Sequence, residues 1–140
     1  AGLRLGDHVI LTQSLGSSIA DAATTVVSGG PLLVENGRVN VRTAEEQMAP
    51  DIARGRAPRT AIGLKQDGTL LMLVVDGRSS ASAGMTLAEL AQYFVKLGAV
   101  SAVNYDGGGS GEMVINGKIV NKPSDGRERW VSIGLGLFIK

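Results

Sequence analysis

The sequence contains no cysteine and only one histidine among its 140 residues. Without cysteine, the chain can form no disulfide scaffold, no zinc finger and no thiol nucleophile. A single histidine excludes a metal site built from several histidines of this chain. Nothing in the sequence places a serine and an acid around His8, which disfavours a Ser-His-Asp enzyme. We therefore expect neither a metal site nor a cofactor.

Long apolar runs and a charge imbalance are also missing. The longest apolar runs, such as Leu70–Val75, are far too short to cross a bilayer, and residues 1–6 do not read as a secretory signal. Fourteen basic and 13 acidic residues leave a net charge of +1, which argues against a general nucleic-acid binder. The length predicts one domain over residues 1–140, or part of a larger domain.

Glycine, in contrast, is abundant at 20 residues, and six of these follow asparagine or aspartate. Asn-Gly is the strongest short-range hairpin signal, and Asp-Gly is similar. The sequence therefore predicts hairpins at Asn36-Gly37, at residues 66–68 and at Asn116-Gly117. The strands that these turns join are Leu32–Glu35 with 38–41, 60–65 with Leu70–Val75, and 112–115 with 118–120. Because Leu70–Val75 is apolar at every position, it is predicted to be buried on both faces.

One amphipathic helix is predicted over residues 87–97. Thr86 and Glu89 form a capping box at its start, and Gly98 is a typical helix terminator. A further strand is expected at 100–104, so that residues 70–104 read as strand, helix and strand with parallel strands. The predicted fold class is therefore α+β: a mixed β-sheet built from hairpins, with one βαβ unit and the helix packed on a sheet face.

Three weaker predictions complete the chain. Residues 8–12 alternate weakly and are read as a short strand. Residues 43–58 read as a surface loop with a short helix at most. The apolar residues 130–139 are predicted to form a closing strand.

Two carboxylates follow the two predicted parallel strands. Asp76 comes directly after the first strand and Asp106 after the second, so both are expected at the same edge of the sheet. Their strand ends would lie roughly 5 Å apart if adjacent, or roughly 10 Å apart with one strand between them. Either spacing suits a pair of acids acting on one glycosidic bond. The alternative is that Asp76-Gly77 and Asp106-Gly107 are only turn dipeptides.

Residues 106–110, here called the glycine loop, place Gly107, Gly108 and Gly109 in a row before Ser110. A run of glycines costs backbone conformational entropy on folding. It is expected where the backbone must lie close to a ligand or to another segment. Successive amides there can form an anion-binding concavity, the alternative being a flexible connection. No Gly-Lys-Ser/Thr follows, so this is not a Walker loop.

Arginines near the same edge can bind phosphate through their guanidinium groups. Arg59 starts one strand of a hairpin and Arg78 follows the end of its partner, so the two can meet in space. The alternative, a solvated surface arginine, is favoured for Arg54 and Arg56. Glu89 is most simply the capping-box partner.

Six segments occur in an order that is typical of one family: residues 29–34, 59–63, 75–78, 84–90, 104–110 and 121–125. From about Gly29 to the C-terminus, the chain resembles the phosphodiester glycosidase family. The resemblance implies hydrolysis of a sugar–phosphate glycosidic bond in a sugar phosphodiester or polysaccharide. It also implies exopolysaccharide metabolism and a secreted or cell-envelope protein.

The resemblance implies a set of site residues as well. The candidate catalytic residues are Asp76, Asp106 and Glu89. The candidate substrate- and phosphate-binding residues are Arg59, Thr60, Arg78, Asn104, Gly107, Gly108, Gly109 and Ser110. One of Asp76 and Asp106 is expected to be the general acid or nucleophile and the other the base or stabiliser. Which carboxylate has which role stays open, as does the activity of this chain alone.

Two departures from the family pattern are visible. Gly111 stands where members often have a second serine, and residues 1–30 contain no match to the upstream Asn-Gly-rich aromatic motif. The chain is therefore read as the C-terminal part of the family domain. We expect an exposed apolar face or unpaired strand edge, covered by an N-terminal segment of its own precursor or by a second copy.

Two other functions stay open. The first is a non-catalytic carbohydrate- or phosphate-binding module of the cell envelope. The second is a metal-dependent phosphoesterase using Asp76 and Asp106, which is weaker because two carboxylates without histidine make a thin metal site.

Overall fold

The structure is a computed structural model that describes residues 2–10, 14 and 16–138. Its elements in chain order are α1 (Ser18–Ala22), β1 (Leu32–Glu35), β2 (Arg38–Val39), α2 (Pro50–Ala53), β3 (Arg59–Lys65), β4 (Leu70–Val75), α3 (Leu87–Lys96), β5 (Ala99–Tyr105), a 3₁₀ helix (Gly108–Ser110), β6 (Val114–Ile115) and β7 (Lys118–Ile119). The three predicted hairpins are all present, as β1–β2, β3–β4 and β6–β7.

The first five strands form one sheet in the order β2-β1-β5-β3-β4. Strand β3 pairs antiparallel with both β4 and β5. Strands β4 and β5 therefore run in the same direction, as the predicted βαβ unit requires, with β3 between them. The predicted α+β class is confirmed, but every hydrogen-bonded pair in the sheet is antiparallel rather than mixed, because β3 returns between the two parallel strands.

Helix α3 covers one face of the sheet and builds the core. Thr86 accepts a hydrogen bond from the Glu89 amide and Glu89 reaches back to the Thr86 amide, so the predicted capping box is confirmed. The buried side chains of the helix are Leu87, Leu90, Ala91 and Phe94. Phe94 packs so closely on Gly63 of β3 that a Cβ there would lie 2.6 Å from its ring. Burying such a ring contributes about 1.5–3 kcal/mol of stability.

The prediction that β4 is buried on both faces is wrong. Leu70 is 43% exposed and Met72 36%, whereas Leu71 and Leu73 pack against the core cluster. The strand lies at the end of the sheet order, and helix α3 packs on β1, β2 and β5. The face of β4 that carries Leu70 and Met72 is therefore left exposed at these two residues, although the sequence of the strand is apolar throughout.

The remaining predictions concern the two ends and the long loop. Among residues 130–138 no strand forms, so the predicted closing strand is wrong there; its last residue, 139, lies outside the described residues. Residues 8–10 form no strand, and residues 11 and 12 also lie outside the described part. Within 43–58 the only helix is α2, as predicted. No helix found in residues 2–10, 14 and 16–138 is long and apolar enough to cross a membrane.

Candidate functional site

The two candidate catalytic carboxylates lie at one edge of the sheet. Strand β4 ends at Val75, which pairs with Arg59, and β5 ends at Tyr105, which pairs with Thr60. Asp76 and Asp106 therefore follow strands that flank the start of β3. The predicted common edge is confirmed, in the arrangement with one strand between the two strand ends.

The glycines after these aspartates allow close backbone packing on Pro58. A Cβ at Gly77 would lie 2.8 Å from the Pro58 nitrogen, and a Cβ at Gly107 would lie 2.6 Å from the Pro58 carbonyl oxygen. That carbonyl also accepts a hydrogen bond of 3.0 Å from the Gly108 amide. The two Asp-Gly pairs thus do more than turn the chain, because they fix both strand ends against the residue that precedes β3.

The carboxylate of Asp76 is held by the segment that follows β7. The Lys122 amide donates to both oxygens, at 3.0 and 3.1 Å, and Asn121 Nδ2 donates to Oδ1 at 3.1 Å. In the sequence, Asn121 belongs only to the resemblance segment 121–125, and its separation of 45 residues from Asp76 gives no local signal for this contact.

No hydrogen bond of the Asp106 carboxylate is found among the described residues, and Asp106 is exposed. Its backbone is nevertheless fixed, because Gly107 packs on Pro58 directly after it. The two acids are therefore in different environments at the same edge: Asp76 is tethered and half-buried, and Asp106 faces solvent.

The glycine loop faces the guanidinium group of Arg78. A Cβ at Gly108 would lie 3.4 and 3.5 Å from the two terminal nitrogens of Arg78. Arg78 itself has φ +55°, a left-handed conformation that is uncommon for a residue with a side chain and is often found at functional sites. The amides of Ser110 and Gly111 bond to loop carbonyls, at 3.1 and 3.3 Å. Arg78 therefore provides the positive charge at the loop, whose own amides are in part already used.

Arg59 has a different environment from the one predicted. It is only 4% exposed, and its guanidinium donates to the carbonyls of Met85, Ile52 and Gly55 at 3.0–3.1 Å. Burial, and secondly the neighbouring charge of Arg78, lower the pKa of Arg59. The two arginines do lie near each other, as expected. Because three main-chain carbonyls use its donors, however, Arg59 is placed to hold residues 52–55 and Met85 together rather than to receive a phosphate.

Three buried polar atoms have no hydrogen-bond partner within the described part of the chain: Thr60 Oγ1, Asn104 Oδ1 and Ser124 Oγ. Thr60 Oγ1 lies at the exit of the glycine loop, 3.3 Å from where a Cβ of Gly111 would be. Asn104 is 4% exposed and its Nδ2 donates to the Gly30 carbonyl at 2.8 Å. Buried polar atoms are normally paired, so Thr60 Oγ1 and Asn104 Oδ1 each have unused hydrogen-bonding capacity. Because Thr60 pairs with Tyr105 and Ala61 pairs with Asn104, the two side chains lie on opposite faces of the sheet.

Glu89 is occupied by local structure. Its Oε2 accepts from the Thr86 amide at 2.9 Å and from the Thr86 hydroxyl at 3.0 Å, and its Oε1 pairs with Arg56. The amide hydrogen bond from Thr86 is the main reason that the pKa of Glu89 is lowered. Arg56 also donates to the Gly84 carbonyl at 2.6 Å, so it is not a freely solvated arginine. The contacts of Glu89 are those of a helix cap, and none of them supports a catalytic role.

One further pair of acids lies next to the loop exit. Desolvation, the charge of Glu128 and a hydrogen bond with that side chain raise the pKa of Glu112.

Across the residues that the structure describes, no three His, Cys, Asp or Glu side chains come close enough to hold a metal ion.

Comparison with known proteins identifies the family to which the chain belongs. Residues 2–138 match the phosphodiester glycosidase family, and the chain belongs to that family. Over 90 residues it is 42% identical to the SPbeta prophage-derived uncharacterized protein YomE of Bacillus subtilis, covering 64% of this chain and 14% of YomE.

Two vertebrate relatives carry a more specific name. The chain is 32% identical over 109 residues to human N-acetylglucosamine-1-phosphodiester alpha-N-acetylglucosaminidase, covering 71% of this chain and 21% of the human protein. The solved catalytic domain of the zebrafish protein of the same name, auto-inhibited by its pro-peptide, superposes with a TM-score of 0.61 at 29% identity, covering 70% of this chain and 34% of that one. The chain thus spans about a fifth of the length of the human relative.

Proposed function

We propose that this chain carries part of the active site of a hydrolase that cleaves the glycosidic bond of a sugar 1-phosphodiester. The observation that carries the proposal is the meeting of Asp76, Asp106 and Arg78 around the glycine loop at one edge of the sheet. The family and the names of the vertebrate relatives support it, and they make an N-acetylglucosamine 1-phosphodiester the first substrate to try.

The two carboxylates receive different roles in this proposal. The tethered Asp76 is a fixed hydrogen-bond acceptor, which suits a group that stabilises positive charge on the sugar or activates water. The exposed Asp106 is the candidate acid. The bond between the anomeric carbon and the phosphate oxygen breaks, water supplies a hydroxyl to the sugar, and the phosphate leaves as a monoester. Since phosphate is already a good leaving group, the demand on the acid is small.

The groups around the carboxylates would hold the substrate. Arg78 is placed for the phosphate, as a guanidinium group can make paired hydrogen bonds to it. The Thr60 hydroxyl, which lies beside Gly111 at the loop exit, is the candidate partner for a sugar hydroxyl. Asn104 lies on the opposite face of the sheet and would support the end of β5 instead. Arg59 would act indirectly, by fixing the segment between α2 and β3.

A binding module without turnover is the second candidate. The chain spans about a fifth of the length of the human relative, so the activity of that whole protein is itself a proposal for this chain. Incubation with a methyl or nucleoside diester of N-acetylglucosamine α-1-phosphate separates the two. Release of free sugar that is lost in Asp76→Asn supports the enzyme. Saturable binding without release in the unchanged chain supports the module.

The location implied by the resemblance is also a proposal. A secreted or cell-envelope protein with an exopolysaccharide substrate would be found in the medium or envelope fraction of its source cells. Recovery of the native protein in the cytosolic fraction alone would contradict it.

A further inference from the structure

We propose that Asn121 is a positioning residue that fixes the Asp76 carboxylate against the exit of the glycine loop. The inference rests on the proposed function for its kinetic consequence and on hydrogen bonds for its geometry. Asn121 Nδ2 donates to Asp76 Oδ1 and to the Gly111 carbonyl, both at 3.1 Å. Its Oδ1 accepts from the Met113 amide at 2.8 Å. One side chain thus joins the end of β4 to the chain that leaves the loop.

These contacts fix the orientation of the Asn121 amide. Both hydrogens of Nδ2 face acceptors and Oδ1 faces a donor, so a flipped amide would put oxygen against oxygen at Asp76 and at Gly111. An aspartate in this position would keep the shape and the acceptor for Met113. It would lose both donors and would place a second negative charge beside Asp76.

The last hairpin explains how a residue so far along the chain reaches Asp76. Asn116 and Gly117 have φ of +52° and +73°, which suits the tight turn of a two-residue hairpin loop. At the open end of the hairpin, the Val120 amide donates to the Met113 carbonyl at 2.9 Å. The next residue is Asn121, which therefore returns beside the loop exit, and the amide of Lys122 follows directly onto Asp76.

Asn121 acts through Asp76 rather than on the substrate, because its amide is fully used within the chain. Phosphate binding is assigned to Arg78, whose guanidinium faces the glycine loop at Gly108 and not Asn121. Removing Asn121 should therefore disturb the chemical step more than substrate binding. A role in folding alone would change both together, with a loss of stability.

The test uses the isosteric Asn121→Asp and the smaller Asn121→Ala in the full chain. The matched control is Asn40→Asp, because Asn40 Nδ2 also donates to a carboxylate, that of Glu35 at 2.9 Å, on the β1–β2 side of the sheet. With a methyl diester of N-acetylglucosamine α-1-phosphate, we expect kcat to fall about 10- to 100-fold in both Asn121 variants, the scale of one lost hydrogen bond to a charged group. KM should change less than about threefold, and Asn40→Asp should match the unchanged chain.

Amide hydrogen exchange at Lys122 provides a readout that needs no activity. If Asn121 holds Asp76 in place, the Lys122 amide loses its acceptor in both variants, and its exchange rises about tenfold or more while the exchange of the β3 amides is unchanged. Unchanged exchange at Lys122 would overturn the proposal, as would unfolding of both variants or equal losses in kcat and in substrate affinity. Should the unchanged chain release no sugar, the proposed function fails, and the exchange at Lys122 still decides whether Asn121 positions Asp76.

Discussion

The main-chain amide of Lys122 donates to both carboxylate oxygens of Asp76, at 3.0 and 3.1 Å. This contact joins the end of β4 to a segment 46 residues later in the chain and closes the edge of the sheet around the glycine loop. A fixed acceptor is suited to stabilising charge or activating water, because it needs no reorganisation during the reaction.

Close packing at Pro58 predicts a strong effect of a single methyl group at Gly107. Gly107→Ala would put Cβ 2.6 Å from the Pro58 carbonyl oxygen, so the ends of β3 and β5 must separate. We expect a loss of about 1–3 kcal/mol in the free energy of unfolding, measured by urea denaturation. Gly134→Ala is the control, because nothing lies within 4 Å of its Cβ position. Equal stability of the two variants would show that the packing at Pro58 is not tight.

Arg78 is predicted to provide most of the affinity for the phosphate group. Arg78→Ala should weaken binding of methyl phosphate about tenfold in an NMR titration, since a charge-assisted hydrogen bond is lost. Arg54→Ala, on the exposed loop before β3, should have no effect. An unchanged affinity in Arg78→Ala would place the anion elsewhere.

Arg59 is predicted to act on stability. Arg59→Met leaves the carbonyls of Met85, Ile52 and Gly55 without the donor that now serves them. We expect the free energy of unfolding to fall by about 1–3 kcal/mol. The affinity for methyl phosphate should stay within about threefold of the unchanged chain, a window of roughly 0.7 kcal/mol. A large loss of affinity with unchanged stability would show that Arg59 binds the phosphate.

The lowered pKa of Glu89 predicts how the helix cap depends on pH. A carboxyl group whose pKa is lower in the folded state contributes stability above its ordinary pKa, and this contribution is lost as the pH falls through the folded value. The difference in melting temperature between the unchanged chain and Glu89→Gln should therefore be larger at neutral pH than in acid. A difference independent of pH would contradict the ionised cap.

The apolar face of β3 and β4 carries a prediction about association. Leu64, Leu70 and Met72 are exposed, and they lie on the sheet face opposite the core side chains. Association with a second copy should appear as dimers or larger species in sedimentation at micromolar concentration, and Leu70→Lys should reduce them. The exposed Ile19→Lys serves as the control. A clean monomer of the unchanged chain would exclude self-association and leave the precursor segment as the predicted partner.

Local chemistry predicted much of the fold. The Asn-Gly turns, the capping box at Thr86 and the common edge of Asp76 and Asp106 each depend on short stretches of sequence, and the structure confirms them. The exposure of β4 was not predicted, because an apolar strand looks the same at the edge of a sheet as in its centre.

The contacts of individual side chains in the site could not be predicted in the same way. Arg59 reaches three carbonyls that are contributed by separate turns, and Asn121 reaches Asp76 across 45 residues. Such partners are set by how the elements pack. The sequence could place these residues near the same edge, but it could not distinguish an arginine that holds a loop from one that binds phosphate.

The position of cleavage is the most direct test of the proposed chemistry. Hydrolysis of a methyl diester of N-acetylglucosamine α-1-phosphate in ¹⁸O-labelled water, followed by mass spectrometry of both products, shows which bond is broken. The account predicts the label in the free sugar and none in methyl phosphate, with the rate falling about 100-fold in Asp76→Asn. Label in the phosphate product would mean attack at phosphorus and would contradict a glycosidase.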